Sequence, residues 1–227
     1  MFLGHYALAL GAKRETPRTS LGVLFAAAQL PDLLWPIFLL LGWERIAPGD
    51  RGFTSISFTY YPWSHSLLLV IGWGILASIF YFAITRDRRG ATFVALLAVS
   101  HWVLDYITHR PDLPLYPGGP LVGLGLWNSA TATVVIEGLM WVAGIAIYLK
   151  KTKPADAVGR YGFWILMLLL TLIYVSSINS PPPADLHAMG WLALATWVIP
   201  VWAGWVDAHR EFESPADNPP VRVVSAG

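Results

Sequence analysis

The chain has 227 residues, 56% hydrophobic and only 13% charged, with 12 Trp and a mean hydropathy of +0.54. That composition is too apolar for a soluble globular domain and indicates a membrane protein. With a formal net charge of +1 and no basic tract or basic–aromatic interleaving, nothing points to a nucleic-acid surface, and the absence of Cys excludes disulfides and thiolate metal sites.

The N-terminal segment MFLGHYALALGAKR puts its apolar residues before its charges, the reverse of a secretory signal, and is expected to stay in the mature fold. It is too short to span a bilayer, whose hydrocarbon core of about 30 Å takes about 20 apolar residues in helical form. A re-entrant half helix starting at Lys13 would carry His5 about 12 Å inward; a helix lying flat on the surface would leave His5 outside. Six apolar runs of spanning length follow, at 19–42, 64–84, 90–109, 128–149, 161–178 and 188–206. Charge, Pro and Gly mark their borders, in TRDRRG, RPDLPLYPGGP, KKTKPADAVGR and NSPPPADLH, the last reading as a rigid turn. The expected fold is therefore all-α: a polytopic membrane bundle of about six transmembrane helices plus the N-terminal half helix. Residues 1–210 form a single membrane domain, and the polar tail 211–227 is expected to be a disordered cytoplasmic segment.

Lys and Arg set the expected orientation, because cytoplasmic loops retain an excess of positive charge. With the N-terminus inside, the cytoplasmic loops collect Lys13, Arg14, Arg18, Arg86, Arg88, Arg89, Lys150, Lys151, Lys153, Arg160, Arg210 and Arg222, against Arg45, Arg51 and Arg110 outside, together all 15 basic residues. Both termini are thus expected in the cytoplasm, with the lipid bilayer as the surrounding partner.

Three carboxylates remain inside the spans: Asp32 in QLPDLLWP, Asp105 in SHWVLDYITH and Glu137 in VVIEGLMW. An ionised carboxylate at mid-helix costs about 3 kcal/mol on translocon-insertion scales, and no Lys or Arg lies in a span to neutralise it. The spans and their edges supply His65, His101 and His109 instead. Carboxylates gathered with imidazoles form a donor set that a divalent metal such as zinc accepts. On a helix, positions four apart are rotated by only about 40°, so His101, Asp105 and His109 form one polar stripe about 12 Å long. Counting helical rise puts Asp32 and Asp105 at similar depth, with His65 and His109 toward the outer end.

Each residue also has a plainer reading. Asp32 beside Pro31 can partner a helix kink, since proline frees a carbonyl. His101 and Asp105 can be a buried hydrogen-bonded pair locking two helices. His109, beside Arg110, can be solvated at the interface, and Glu137 can be protonated and bonded to Ser129, Thr131 or Thr133. Tyr60, Tyr61 and Trp63 read either as an entrance for an amphipathic substrate or as an interfacial aromatic belt. His187 and His209 read as solvated.

The ordered motifs GHYALAL, LPD, SHSLL and SHWVLD resemble those of metal-dependent hydrolases of the bacterial inner membrane, some described as LexA-binding, whose motifs run GH, LPD, HRGxTHS and SHxxxD. The order of ligand types is also similar to that of zinc-dependent phospholipase C. The resemblance implies metal ligation by Asp32, His65, His101 and Asp105, a bridging role for Asp105 toward a second ion held with His5, and His109 and Glu137 as secondary candidates for a third. This chain departs from the pattern in having Leu34 and Trp35 where the family often has Asp and His, Tyr60 at the first histidine of HRGxTHS, and Thr133 four before Glu137. The resemblance implies a hydrolase with a divalent cofactor, zinc by donor type, acting on a phosphodiester or lipid substrate, with Asp32 and Asp105 as catalytic groups. Zinc lowers the pKa of a bound water to about 7. A proton or metal-ion transporter and a scaffold with a structural metal stay open. An open coordination face would favour the hydrolase, a closed shell the scaffold, and a continuous polar path the transporter.

Overall fold

The computed structural model describes residues 1–49, 53, 56–178, 180–181 and 185–212. It begins with α1 (Leu3–Ala12), whose Ala and Leu favour helix at every position that packing does not decide. Helix α1 buries Leu3, His5, Tyr6, Ala9 and Leu10, so it lies within the bundle and not on its surface. The approach that permits this is at Gly144 of α7 (Ala130–Leu149), where a Cβ would stand 2.7 Å from the carbonyl oxygen of Ala7.

The first expected span is broken. Helix α2 (Leu21–Ala28), capped by the Ser20 hydroxyl on the Val23 N–H, gives way at Gln29 to α3 (Leu30–Leu40), bent from it by 58°. Pro31 in the first turn of α3 has no N–H to continue the α2 ladder, which explains a break at this position. A hairpin of β1 (Arg45–Pro48) and β2 (Ile56–Tyr60) leads through the short α4 (Pro62–His65) into α5 (Leu67–Thr85). Helix α6 (Arg88–Thr108) starts at Asp87, whose carboxylate accepts the Gly90 N–H at 3.1 Å, and runs antiparallel to α5 across a short turn. The ladder of β3 (Leu113–Pro114) and β4 (Leu121–Val122) then folds over the end of α6 before α7 begins. After β5 (Thr152–Pro154), a π-turn at Val158–Gly162 enters α8 (Phe163–Ser177); α9 (Leu186–Leu194) and α10 (Val198–Ala208) complete the bundle before β6 (Arg210–Phe212) pairs with β5.

Among the described residues, five helical stretches are long and apolar enough to cross a membrane: α5, α6, α7, Val158–Ser177 and His187–Ala208, with the bent α2–α3 pair as a sixth if it counts as one span. Their outer faces carry Ile79, Leu139, Leu192 and Val201, each more than 60% exposed. Continuous apolar surface of that kind is what a membrane protein presents to lipid. Fully buried Leu10, Leu24, Phe25, Leu166 and Leu170 fill the centre, where α1 and α2 meet α8 and α10. Gly22 and Gly204 let α2 and α10 approach closely: a Cβ on Gly22 would meet the Pro200 carbonyl at 2.4 Å.

The loops segregate to two ends. One gathers Lys13, which donates to Asp207 at 2.6 Å, the Arg89–Glu15 pair at 2.6 Å, and the β5–β6 ladder. The other carries β1–β2, α4 and β3–β4. The three two-stranded ladders were not legible as hydropathy, being too short to show an alternating pattern. The boundary at residue 210 shifts, because Glu211 and Phe212 pair with Lys153 and Thr152 where a disordered tail was expected from 211. Residues 213–227 of that expected tail lie outside the described residues, as do Arg51, Arg222, Asn179 and Pro182–Pro183–Ala184 of the expected turn. Asp185, at the end of that turn, caps α9 by accepting the His187 N–H at 2.8 Å.

Candidate metal centre

The break between α2 and α3 has a direct chemical consequence. The last turn of a helix leaves carbonyls without helical partners, and in α2 the Ala28 carbonyl accepts the Nδ1–H of His101 at 2.7 Å. A carbonyl can only accept, so Nδ1 carries the proton and Nε2 presents its lone pair. That Nε2 is fully buried without a hydrogen-bond partner among the described residues, and it stands 3.0 Å from Asp105 Oδ2 and 3.8 Å from Asp32 Oδ1. A bare imidazole nitrogen facing carboxylate oxygens at those distances requires a cation between them, either a proton on Nε2 or a metal ion.

Other elements bring further donors to the same point. Helix α1 delivers His5, whose Nε2 is 3.1 Å from Asp105 Oδ1 and whose ring stacks on His101 at 3.7 Å between centroids. Helix α4 delivers His65, with Nε2 3.3 Å from Asp32 Oδ1 and 3.8 Å from Asp105 Oδ2. Asp32 sits in the first turn of α3, where the helix dipole favours a negative charge. Two overlapping triads result, His5–His101–Asp105 and Asp32–His65–His101, each with its ligand atoms within 4.8 Å of one another. Tetrahedral ligands about 2.0–2.2 Å from an ion stand roughly 3.3–3.6 Å apart, and the histidine-to-carboxylate separations of 3.0–3.8 Å bracket that value. The donor set and the orphaned His101 nitrogen together fit a divalent ion.

The histidines are oriented from outside the cluster. His65 Nδ1 lies 2.6 Å from Ser64 Oγ, and Ser64 donates its N–H (2.7 Å) and O–H (2.8 Å) to Glu44. Burial pushes the Glu44 carboxyl above its ordinary range, while the His65 ring and the Ser64 donors pull it back. His109 contacts Asp112 Oδ1 through Nδ1 at 2.9 Å, its ring packs on Trp127 at 4.1 Å, and its Nε2 is 3.9 Å from Asp105 Oδ2. Burial and the adjacent Asp112 hold the Tyr61 phenol well above its usual range, so Tyr61 is a protonated donor to Asp112 at 3.2 Å. The Met1 amino group also contacts Asp105 Oδ1, and Thr108 Oγ1 at 3.2 Å.

Of the residues singled out in the sequence, the fold brings His5, Asp32, His65, His101 and Asp105 together. His109 lies at the margin, buried against Phe58, Tyr61 and Trp127 where solvation was the plainer expectation. Glu137 falls outside both triads: it is fully buried and accepts the Gly4 N–H at 3.3 Å, so it caps α1. The anticipated partners Ser129 and Thr133 bond each other and Leu126 instead. Tyr60 and Trp63 are 43% and 38% exposed, but Tyr61 is buried against His109 and belongs to neither an entrance nor a belt. His209 contacts Asp156 at 2.6 Å.

Glu44, Ser64 and Asp112 went unread in the sequence. Asp112 follows His109 by three residues and could have been noticed; Glu44 is separated from Ser64 by the whole β1–β2 hairpin and carries no spacing signal. No family model, curated protein or solved structure matches the chain.

Proposed function

We propose that the chain is a membrane-embedded, metal-dependent hydrolase that cleaves a phosphodiester or lipid-like substrate. The observation that carries this reading is the asymmetry of exposure around the cluster. The side chains of His5, His65, His101 and Asp105 are each 4% exposed or less, whereas that of Asp32 is 42% exposed. A structural metal site is closed on all sides, while a catalytic one keeps an open position.

His5, His65, His101 and Asp105 would hold the ion or ions, with Asp32 at the open edge, and zinc suits this mixture of imidazole and carboxylate. A divalent ion supplies Lewis acidity, acidifying water and polarising a phosphoryl or carbonyl oxygen. Asp105, enclosed by His5, His65, His101 and His109, orients these donors. Asp32, being both near the donors and accessible, is placed to accept a proton from attacking water. Tyr60 and Trp63, exposed at the same end as His65, suit the apolar–polar boundary of a lipid headgroup. The resemblance of the ordered motifs to those of inner-membrane hydrolases supports the same assignment, and the bias of basic residues supports cytoplasmic termini. Transport is disfavoured by what lies beneath the cluster: α6 continues toward the charged end with buried Ala98, Leu97, Val94 and Ala91, which offer no polar path.

The test is metal content of the detergent-purified protein after incubation with zinc. The wild type is expected to retain zinc, His101→Ala and Asp105→Ala to lose it, and the wild type alone to hydrolyse a chromogenic phosphodiester or a phospholipid. A wild-type protein that holds no divalent metal would end this reading.

A further inference from the structure

Glu44 lies just beyond α3, is 1% exposed, and its oxygens accept three contacts from one residue: Ser64 N–H to Oε1 at 2.7 Å, and Ser64 Oγ to Oε1 and Oε2 at 3.0 and 2.8 Å. We infer that Glu44 is a positioning residue that acts through Ser64 to hold His65 with Nδ1 protonated and Nε2 turned toward Asp32 and Asp105 as the atom that would take the ion.

The argument is one of proton direction. A carboxylate is an acceptor only, so the single Ser64 hydroxyl proton points to Glu44. The lone pairs of Ser64 Oγ then face His65 Nδ1 at 2.6 Å, and only an N–H there makes a bond of that contact. Nε2 is thereby left to the cluster, 3.3 Å from Asp32 Oδ1. An amide at position 44 would fill nearly the same space with a much smaller desolvation cost, but its NH2 can donate to Ser64. The hydroxyl could then turn and donate to Nδ1, moving the His65 proton to Nε2 and blocking the face that ligates. The buried charge therefore does something a neutral isostere cannot: it fixes the sense of the whole relay. His101 is set the same way by the Ala28 carbonyl, so two ligands from different helices have their tautomers fixed by acceptors outside the cluster.

The inference rests on the metal reading for its purpose, but its test does not. In metal-free protein at neutral pH with 15N-labelled histidine, wild-type His65, assigned by loss of its signals in His65→Ala, is expected to show a protonated Nδ1. In Glu44→Gln and in Ser64→Ala that pattern is expected to be lost or reversed, and in Ser64→Thr, which keeps the hydroxyl, it is expected to persist. In parallel, zinc affinity by chelator competition is expected to fall about 10- to 100-fold in Glu44→Gln and to stay near wild type in Ser64→Thr. Unchanged His65 nitrogen shifts in a folded Glu44→Gln protein would overturn the inference whether or not zinc binds. Correct shifts with no zinc bound to the wild type would leave the relay standing and remove the hydrolase.

Discussion

Asp105 and Asp32 are both acidic residues of the cluster, yet their surroundings assign them unequal weight. Asp105 is 2% exposed and is approached by His5 and His101 at 3.1 and 3.0 Å and by His65 and His109 at 3.8 and 3.9 Å. Among the described residues Asp32 is approached by His65 and His101, at 3.3 and 3.8 Å, and its side chain is 42% exposed. Asp105→Asn is therefore expected to weaken zinc binding more than Asp32→Asn does, measured by competition with a chromogenic chelator, while Asp32→Asn should abolish turnover and keep much of the bound metal. Away from the centre, Asp156 accepts the Gly159 N–H at 2.9 Å and contacts His209, and these hold its carboxyl below the ordinary range. A lowered folded-state pKa contributes stability above the unfolded value of about 3.9 that disappears as pH falls through the lowered one. Asp156→Asn is expected to reduce Tm slightly at pH 6 and to make no difference in the most acidic buffers, by thermal unfolding across a pH series. The residue types at the centre were legible because ionisable groups in an apolar run stand out; Glu44 and Asp112, in polar loops, had nothing to distinguish them.

Two helical features place the ligands. The first is the α2–α3 break, where Pro31 interrupts the ladder and the Ala28 carbonyl becomes the acceptor for His101. The LPD motif was readable both as a kink and as a ligand site, and the structure makes the two readings one: the kink turns Asp32 toward the cluster and also sets the His101 tautomer. The second is the contact of α1 with α7. Gly144→Val would force a side chain into the Ala7 backbone, which stands 2.7–2.8 Å from the Cβ position, and push α1 and His5 outward. Overpacking of this kind costs about 1–3 kcal/mol, so the variant is expected to show a lower Tm in detergent together with weaker zinc binding. Thermal shift with and without zinc checks both: the zinc-induced rise in Tm should shrink. That α1 is too short to span followed from its length. Which helix receives it did not, because α1 is apolar on nearly every side and its sequence nominates no face.

Over the whole molecule, two ends with different chemistry are tied through a common core. At the end opposite the cluster's outer shell, Lys13 donates to Asp207 at 2.6 Å and to the Thr19 carbonyl at 2.8 Å, while Tyr148 and the Leu21 N–H also bond Asp207. Asp207 thereby joins α1, α2, α7 and α10 at one point. Removing one partner of a buried ion pair leaves the other uncompensated, at a cost of about 3–5 kcal/mol. Asp207→Ala is expected to lower stability by that order in reversible unfolding, and to free the base of α1. Lys13 entered the sequence reading only as a topology marker and Asp207 not at all, since 194 positions separate them.

The sequence by itself determined the helical class, the approximate limits of the long apolar segments, and Asp32, His65, His101 and Asp105 as candidates to converge, with His5 left open, because ionisable groups in or beside an apolar run and hydrophobicity repeated over about 20 positions are local properties of the chain. Tertiary structure alone decided that α1 is buried, that Glu137 caps it in place of joining the cluster, and that Glu44, Ala28 and Asp112 orient the histidines. These are pairings between distant segments, fixed by close packing and by the direction in which each proton is donated, and neither quantity is written in residue spacing.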